Sequence, residues 1–186
     1  MTKSPVKATT ETAVFGGGCF WCTEAVFASL KGVKSAMPGY TGGTLVHPTY
    51  EQVSAGNTGH VESIRIEYDP SVIAYVDLLT VFFNSHQPTT SNRQGSDVGT
   101  QYRSAIFYAD QSQKEQAEAL IKELTDTHAY DRPIVTEVMP LGEFYPAEDY
   151  HKDYYLNHPA DPYCQLVIAP KLEKLQKRFA VLLKQS

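Results

Sequence analysis

The chain has 186 residues, 42% apolar and 20% charged, which is long and apolar enough to bury one continuous core in a single domain. A net charge of −5 with scattered Lys and Arg argues against a nucleic-acid surface, and no apolar run approaches the roughly 20 residues of a spanning helix. Three cysteines, two of them closely spaced, argue against a disulfide framework and for reactive thiols or a metal site in the cytoplasm.

The polar, Thr-rich start, residues 1–11, reads as a disordered tail without a secretory signal. Thr12 to Phe15 reads as a strand ending on Gly16-Gly17-Gly18, and Thr23 to Leu30 has helical spacing through Val26, Phe27 and Leu30. Val33 to Met37 is a strand leading into Pro38-Gly39-Tyr40-Thr41-Gly42-Gly43, which together with His47-Pro48-Thr49-Tyr50 reads as a long surface loop. His60 to Tyr68 is the clearest strand, bounded by Asp69-Pro70. Val72 to Ser85 has helical spacing, and Gln87 to Gln101 is a loop long enough to suggest function. A strand follows from Tyr102 to Ala109, then a helix capped by Asp110 and ending near Leu124. Ile134 to Met139 reads as a strand and Pro146 to Leu156 as a short helix. Pro170 opens a last amphipathic helix with a Lys-rich outer face and a packing role. Strands interspersed with helices predict an α+β fold, a central mixed sheet with packed helices and extensive coil.

Three segments carry candidate chemistry. Cys19 follows three glycines and falls in the first turn of a predicted helix, where free N–H groups and the helix dipole favour a thiolate. Phe20 and Trp21 put a large apolar surface beside it. On the strand His60 to Tyr68, Glu62 shares a face with Ile64, Ile66 and Tyr68, while Arg65 and Glu67 occupy the other, so Glu62 points to the buried side. Desolvation there would raise its pKa and make it a proton donor near neutral pH; a rim carboxylate paired with a cation is the plainer reading. The run Thr89 to Arg103 is dense in hydrogen-bonding side chains and reads equally as a polar binding loop or as capped surface turns.

These segments together resemble one family, the peptide methionine sulfoxide reductases of the A type. The likeness lies in Gly18-Cys19-Phe20-Trp21, Pro38 to Gly43, Pro48-Thr49-Tyr50, Gly59-His60-Val61-Glu62 and Asp97-Val98-Gly99-Thr100-Gln101-Tyr102-Arg103, in that order. The resemblance implies a two-layer sandwich with a ferredoxin-like core. It implies reduction of the S epimer of methionine sulfoxide, free or in proteins, with Cys19 as nucleophile and Glu62 as acid. Tyr50 and Tyr102 are implied as hydrogen-bonding companions, Asp97 as a support acting through water, and Phe20 and Trp21 as the pocket for the substrate methyl group. It further implies a Cys19 sulfenic acid that a second thiol turns into a disulfide, thioredoxin as external reductant, no bound cofactor or metal, and oxidised proteins or peptides as substrates for a monomer. Cys164, on a mobile C-terminal segment, resembles the resolving cysteine and is favoured. Cys22, where many members carry glycine, is the alternative, since it forms a Cys-x-x-Cys pair with Cys19. Gln87, where aspartate is more usual, lies outside the chemical core. Two rivals are a zinc site built from Cys19, Cys22, Cys164 and a histidine, and a general thiol–disulfide oxidoreductase that would not need Glu62.

Overall fold

The computed structural model describes residues 9–184. Of the expected tail, residues 1–8 lie outside the described residues, and Glu11 is the first residue of a strand. The chain runs β1 (Glu11–Gly17), α1 (Phe20–Ala28), β2 (Val33–Thr41), α2 (Tyr50–Ser54), β3 (Val61–Tyr68) and α3 (Tyr75–Ser85). A small hairpin, β4 (Arg93–Gln94) and β5 (Asp97–Val98), precedes β6 (Ser104–Tyr108), α4 (Gln111–Asp126), β7 (Glu137–Pro140) and β8 (Tyr145–Pro146). Then come α5 (Tyr154–Asn157), a π-helical turn at Cys164–Ile168, and α6 (Ala169–Phe179).

Six strands form one sheet in the order β7-β6-β1-β3-β2-β8, with every pair antiparallel except β6–β7. Its four central strands, joined as β1-α1-β2-β3-α3-β6, are the ferredoxin-like core that the resemblance implies. Both helices of that core lie on one face of the sheet. Phe15 of β1 stands at the contact, its ring 5.5 Å from Phe27 of α1 and 4.9 Å from Phe82 of α3. Ile64, Ile66 and Ile106 complete this layer, all fully buried. Each such side chain contributes about 1.5–3 kcal/mol by leaving water.

The opposite face is also covered. Val14, Val61, Ala105 and Phe107 pack under Phe144, which lies between β7 and β8. Arg65, expected in water, lies over the Phe144 ring at 5.2 Å and is half-buried. The same ring explains why Pro38 to Thr41 is strand rather than the expected loop. A Cβ at Gly39 would collide with Phe144 and the Tyr145 carbonyl, so the glycine admits the covering segment, and Ala147 N–H donates to the Pro38 carbonyl at 2.9 Å.

Other boundaries shift for local reasons. Thr49 caps α2 with a reciprocal Thr49–Gln52 capping box, forming a helix where loop was expected. Asp77 binds the Ala74 N–H and starts α3 at Tyr75 instead of Val72. Tyr102 ends a 3-10 turn, so the strand after it opens at Ser104, and β7 starts at Glu137, three residues beyond Ile134. The helix expected over Pro146 to Leu156 is broken into β8, a 3-10 turn at Asp149–His151 and α5, because Asp153 takes a left-handed conformation (φ 52°). The Asp110 cap of α4 is as expected, its carboxylate accepting from Gln113 N at 2.8 Å.

Candidate active site

Cys19 is the N-cap of α1, one position earlier than the first turn, and its carbonyl accepts from Cys22 N at 3.1 Å and Thr23 N at 3.4 Å. Gly18 makes the turn at φ +89°, and a Cβ there would run into Gln94. Gln94 and Gln87 hold each other, side chain to backbone, at 2.9 and 2.6 Å. The loop is thereby pinned against the glycine, and Gln87 contributes backbone groups alone. The first free N–H of the helix, that of Phe20, is taken by Glu62 Oε2 at 3.1 Å.

Glu62 sits on the core face of β3, 2% exposed, as the alternation of that strand predicts. Burial pushes its carboxyl up to about 8; the Phe20 N–H opposes this, and the charges of Asp97 and Cys22 add to it. It is therefore protonated at neutral pH.

The thiols correct one expectation. Cys19 is pushed well up by burial, then by its hydrogen bond with Cys22 and by Glu62, with Tyr163 pulling the other way. A helix N-terminus favours a charge by roughly 0.3–1 kcal/mol, whereas desolvation of a buried group can move a pKa by as much as ~3–5 units, so burial wins. The lowered thiol is Cys22, down to about 6, chiefly through the hydrogen bond from Cys19 and helped by Lys171. The pair thus gives up its first proton easily and its second only with difficulty.

Tyr163 closes the polar end of the site. Its hydroxyl donates to Asp97 Oδ2 at 2.8 Å and lies 3.6 Å from Cys22 Sγ. Asp97 is thereby tied directly to a phenol. Tyr50 and Tyr102 are half-buried, and both phenols are pushed up first by burial and next by the charge of Glu62, which places them within electrostatic reach of the acid.

The apolar wall converges on His151, 1% exposed. Its ring lies 4.9 Å from Phe20, 4.6 Å from Tyr50 and 4.1 Å from Tyr150. Trp21 donates its indole N–H to His151 Nδ1 at 3.0 Å and stacks flat on Tyr154 at 3.7 Å. Burial keeps His151 neutral, and with Nδ1 accepting, its proton sits on Nε2, 3.7 Å from Glu148. Glu148 accepts from Tyr40 Oη and Tyr50 N, each at 2.8 Å, so it also fixes the start of α2. In the sequence His151 lies within a run of tyrosines, Tyr145, Tyr150, Tyr154 and Tyr155, that reads by default as packing, with Tyr150 or His151 able to border a channel; no local signal marks Glu148 or Tyr163. His60 orders the preceding loop through Gly43 N and the Leu45 carbonyl, as a turn cap would.

Cys19, Cys22 and Cys164 are all free and share one cluster, with Cys22 and Cys164 buried. Among the described residues no group of three or more His, Cys, Asp or Glu side chains is placed to hold a metal ion. No helix among them is long and apolar enough to cross a membrane.

Two thiols one turn apart at a helix start, beside a buried acid and an aromatic wall, define a thiol-based oxidoreductase site. The family model described as peptide methionine sulfoxide reductase matches residues 11–182, and the chain belongs to that family. A Thermus thermophilus protein, peptide methionine sulfoxide reductase MsrA, is 54% identical over 174 residues, covering 94% of this chain and 98% of its own. The crystal structure of Mxr1 from Saccharomyces cerevisiae in reduced form is 30% identical with a TM-score of 0.76, over 88% of this chain and 92% of that one. The same yeast protein in complex with Trx2 is similar at a TM-score of 0.54 and 20% identity, over 83% of this chain and 89% of that one.

Proposed function

We propose that the protein is a peptide-methionine (S)-S-oxide reductase that repairs oxidised proteins and peptides, with Cys19 as nucleophile and Glu62 as general acid. The observation that carries this reading is a carboxyl held protonated by burial at the start of the helix that bears the thiol pair. A sulfoxide sulfur is a poor electrophile until its oxygen is protonated, and a positioned acid supplies roughly 10²–10⁴-fold.

Cys19 passes its proton to Cys22 through their hydrogen bond and attacks the sulfoxide sulfur. Glu62 protonates the oxygen, with Tyr50 and Tyr102 hydrogen-bonding to it and Phe20 and Trp21 enclosing the methyl group, which selects the epimer. Oxygen passes to Cys19 as a sulfenic acid and the thioether leaves as methionine. Two electrons have gone from the thiol to the sulfoxide.

Resolution follows the order of the sulfurs. Cys22 lies one helical turn from Cys19 at the start of α1, and Cys164 packs in the same cluster. Cys22 attacks the sulfenic acid, releasing water and forming Cys19–Cys22. Cys164 then attacks Cys22, freeing Cys19 and leaving Cys22–Cys164 for an external dithiol. This order gives first resolution to Cys22, whereas the sequence favours Cys164. The yeast neighbour's complex with Trx2 supports thioredoxin as the reductant. Residues 12–186 act as one catalytic domain, a monomer in the cytoplasm with no bound cofactor, and the segment around Cys164 moves to present its sulfur.

The test is mass spectrometry of separated S and R methionine sulfoxide peptides incubated with the protein and dithiothreitol. Loss of one oxygen from the S epimer alone, abolished by Cys19→Ser, is expected. Reaction of neither epimer, or of both equally, overturns the reading.

A further inference from the structure

Beside the π-helical turn after Cys164, two open cavities of about 640 and 400 Å³ adjoin, sharing Asn84, His86, Gln87 and Lys174. Together they form a groove between the end of α3, the 87–97 loop and α6. The groove is cationic in a chain whose net charge is −5. Lys171 and Lys174 line the smaller cavity, and Lys174, Arg178 and Arg132 the larger. No carboxylate pairs with any of these four among the described residues. Asp131 stands at the larger cavity and Asp97 at the smaller, the latter taken by Tyr163. Lys171, Lys174 and Arg178 follow at i, i+3 and i+7, so they share one face of α6 and span about 10 Å at ~1.5 Å per residue.

The smaller cavity also borders the turn that carries Cys164, whose sulfur is itself buried. Leu166 and Val167 of the π-helical turn line the smaller cavity, two and three residues after Cys164, and Leu166 is 77% exposed. An exposed apolar side chain flanked by unpaired cations has the make-up of an interface with an apolar centre and a charged rim.

Given the thiol relay proposed above, we infer that this groove, with Leu166 beside Lys171 and Lys174 on its smaller cavity and Arg178 and Arg132 on its larger one, docks the dithiol reductant through carboxylates on that partner. The docked partner's thiolate attacks Cys164 and expels Cys22 as a thiolate, giving a mixed disulfide. Its second thiol then expels Cys164, so the partner leaves as a disulfide and both cysteines leave reduced.

The test needs no sulfoxide. Protein pre-oxidised to the Cys22–Cys164 disulfide is reduced by thioredoxin or by dithiothreitol, and the second-order rates are compared for wild type and K174E/R178E. Charge steering predicts that the variant loses about tenfold in the thioredoxin rate, together with most of its salt dependence, and keeps the dithiothreitol rate. An unchanged thioredoxin rate overturns the docking surface, and so does an equal fall in both rates, which would mean a disturbed disulfide. Failure of the sulfoxide assay above would overturn the activity while leaving this comparison standing.

Discussion

The Tyr163 hydroxyl stands between Asp97 Oδ2, at 2.8 Å, and Cys22 Sγ, at 3.6 Å, joining the hairpin loop to the thiol pair through a residue next to Cys164. The phenol has one proton: given to Asp97 while Cys22 is a thiol, it turns to the sulfur when Cys22 ionises and stabilises the thiolate there. Tyr163→Phe is expected to move the thiol titration upward from about 6 and to cut turnover about tenfold, the cost of a hydrogen bond to a charged group. Alkylation rates across pH check the first effect, and peptide turnover the second. An unchanged titration would mean that the phenol only packs.

Glu62 makes two linked predictions. As the acid it is active while protonated, so the rate falls as pH rises through about 8. Glu62→Gln lowers the rate by about 10²–10⁴-fold and removes that limb. For stability the sign follows from a folded value raised from 4.5 to about 8. The stabilisation is complete below the unfolded value and is lost as pH rises through the folded one. The loss is on the order of 5 kcal/mol. Denaturant midpoints on either side of pH 8 should differ in the wild type and converge in Glu62→Gln.

The relay predicts different trapped species. After one turnover with sulfoxide and no reductant, Cys164→Ser should hold a Cys19–Cys22 disulfide, visible by peptide mapping under non-reducing conditions. Cys22→Ser should hold a sulfenic acid that a dimedone probe captures. A Cys19–Cys164 disulfide forming as fast in Cys22→Ser as resolution does in the wild type would give the first step to Cys164.

Trp21→Phe keeps an aromatic wall but removes the donor to His151 Nδ1, leaving a buried ring nitrogen without its partner. An orphaned buried acceptor costs about 1–3 kcal/mol. The variant should lose that much stability in denaturant titration, and KM for a sulfoxide peptide should rise while kcat changes less.

On the opposite face, Gly39→Ala forces a methyl group into Phe144 and the Tyr145 carbonyl. Overpacking of this kind costs about 1–3 kcal/mol, more where backbone cannot yield. Thermal unfolding should show the loss, and the smaller Phe144→Leu side chain should restore part of it.

The parts visible in the sequence are those whose causes are local. The alternation of Glu62, Ile64, Ile66 and Tyr68 fixes which face of β3 meets the helices, and Asp110 caps α4 within its own turn. Cys19 is visible because glycines, a thiol and aromatics are contiguous. Tyr163 was not, since its partners lie 66 and 141 positions away. Glu148 likewise acts on Tyr50 from 98 positions off. The strand from Pro38 to Thr41 reads as a turn until β3 and Phe144 are in place. The lowered pKa falls on Cys22 rather than Cys19 chiefly through the hydrogen bond it takes from Cys19, with Lys171, distant in the sequence, helping.

The C-terminal arm is fastened to α1 at both ends. Glu24 accepts the Asp153 N–H at 2.9 Å, and beyond α6 Leu183 bridges Leu30, with Lys31 N on the Leu182 carbonyl at 2.8 Å and Lys184 N on Ser29 at 2.9 Å. Residues 153–183 thus hang from one helix like the handle of a pail. In the relay proposed above, lifting this handle to show Cys164 would leave both attachments engaged, so the sulfur would stay within the handle's reach. Because the loop is already closed, each return to the thiol pair would avoid the entropic cost of recapturing a free tail, keeping its effective concentration there high.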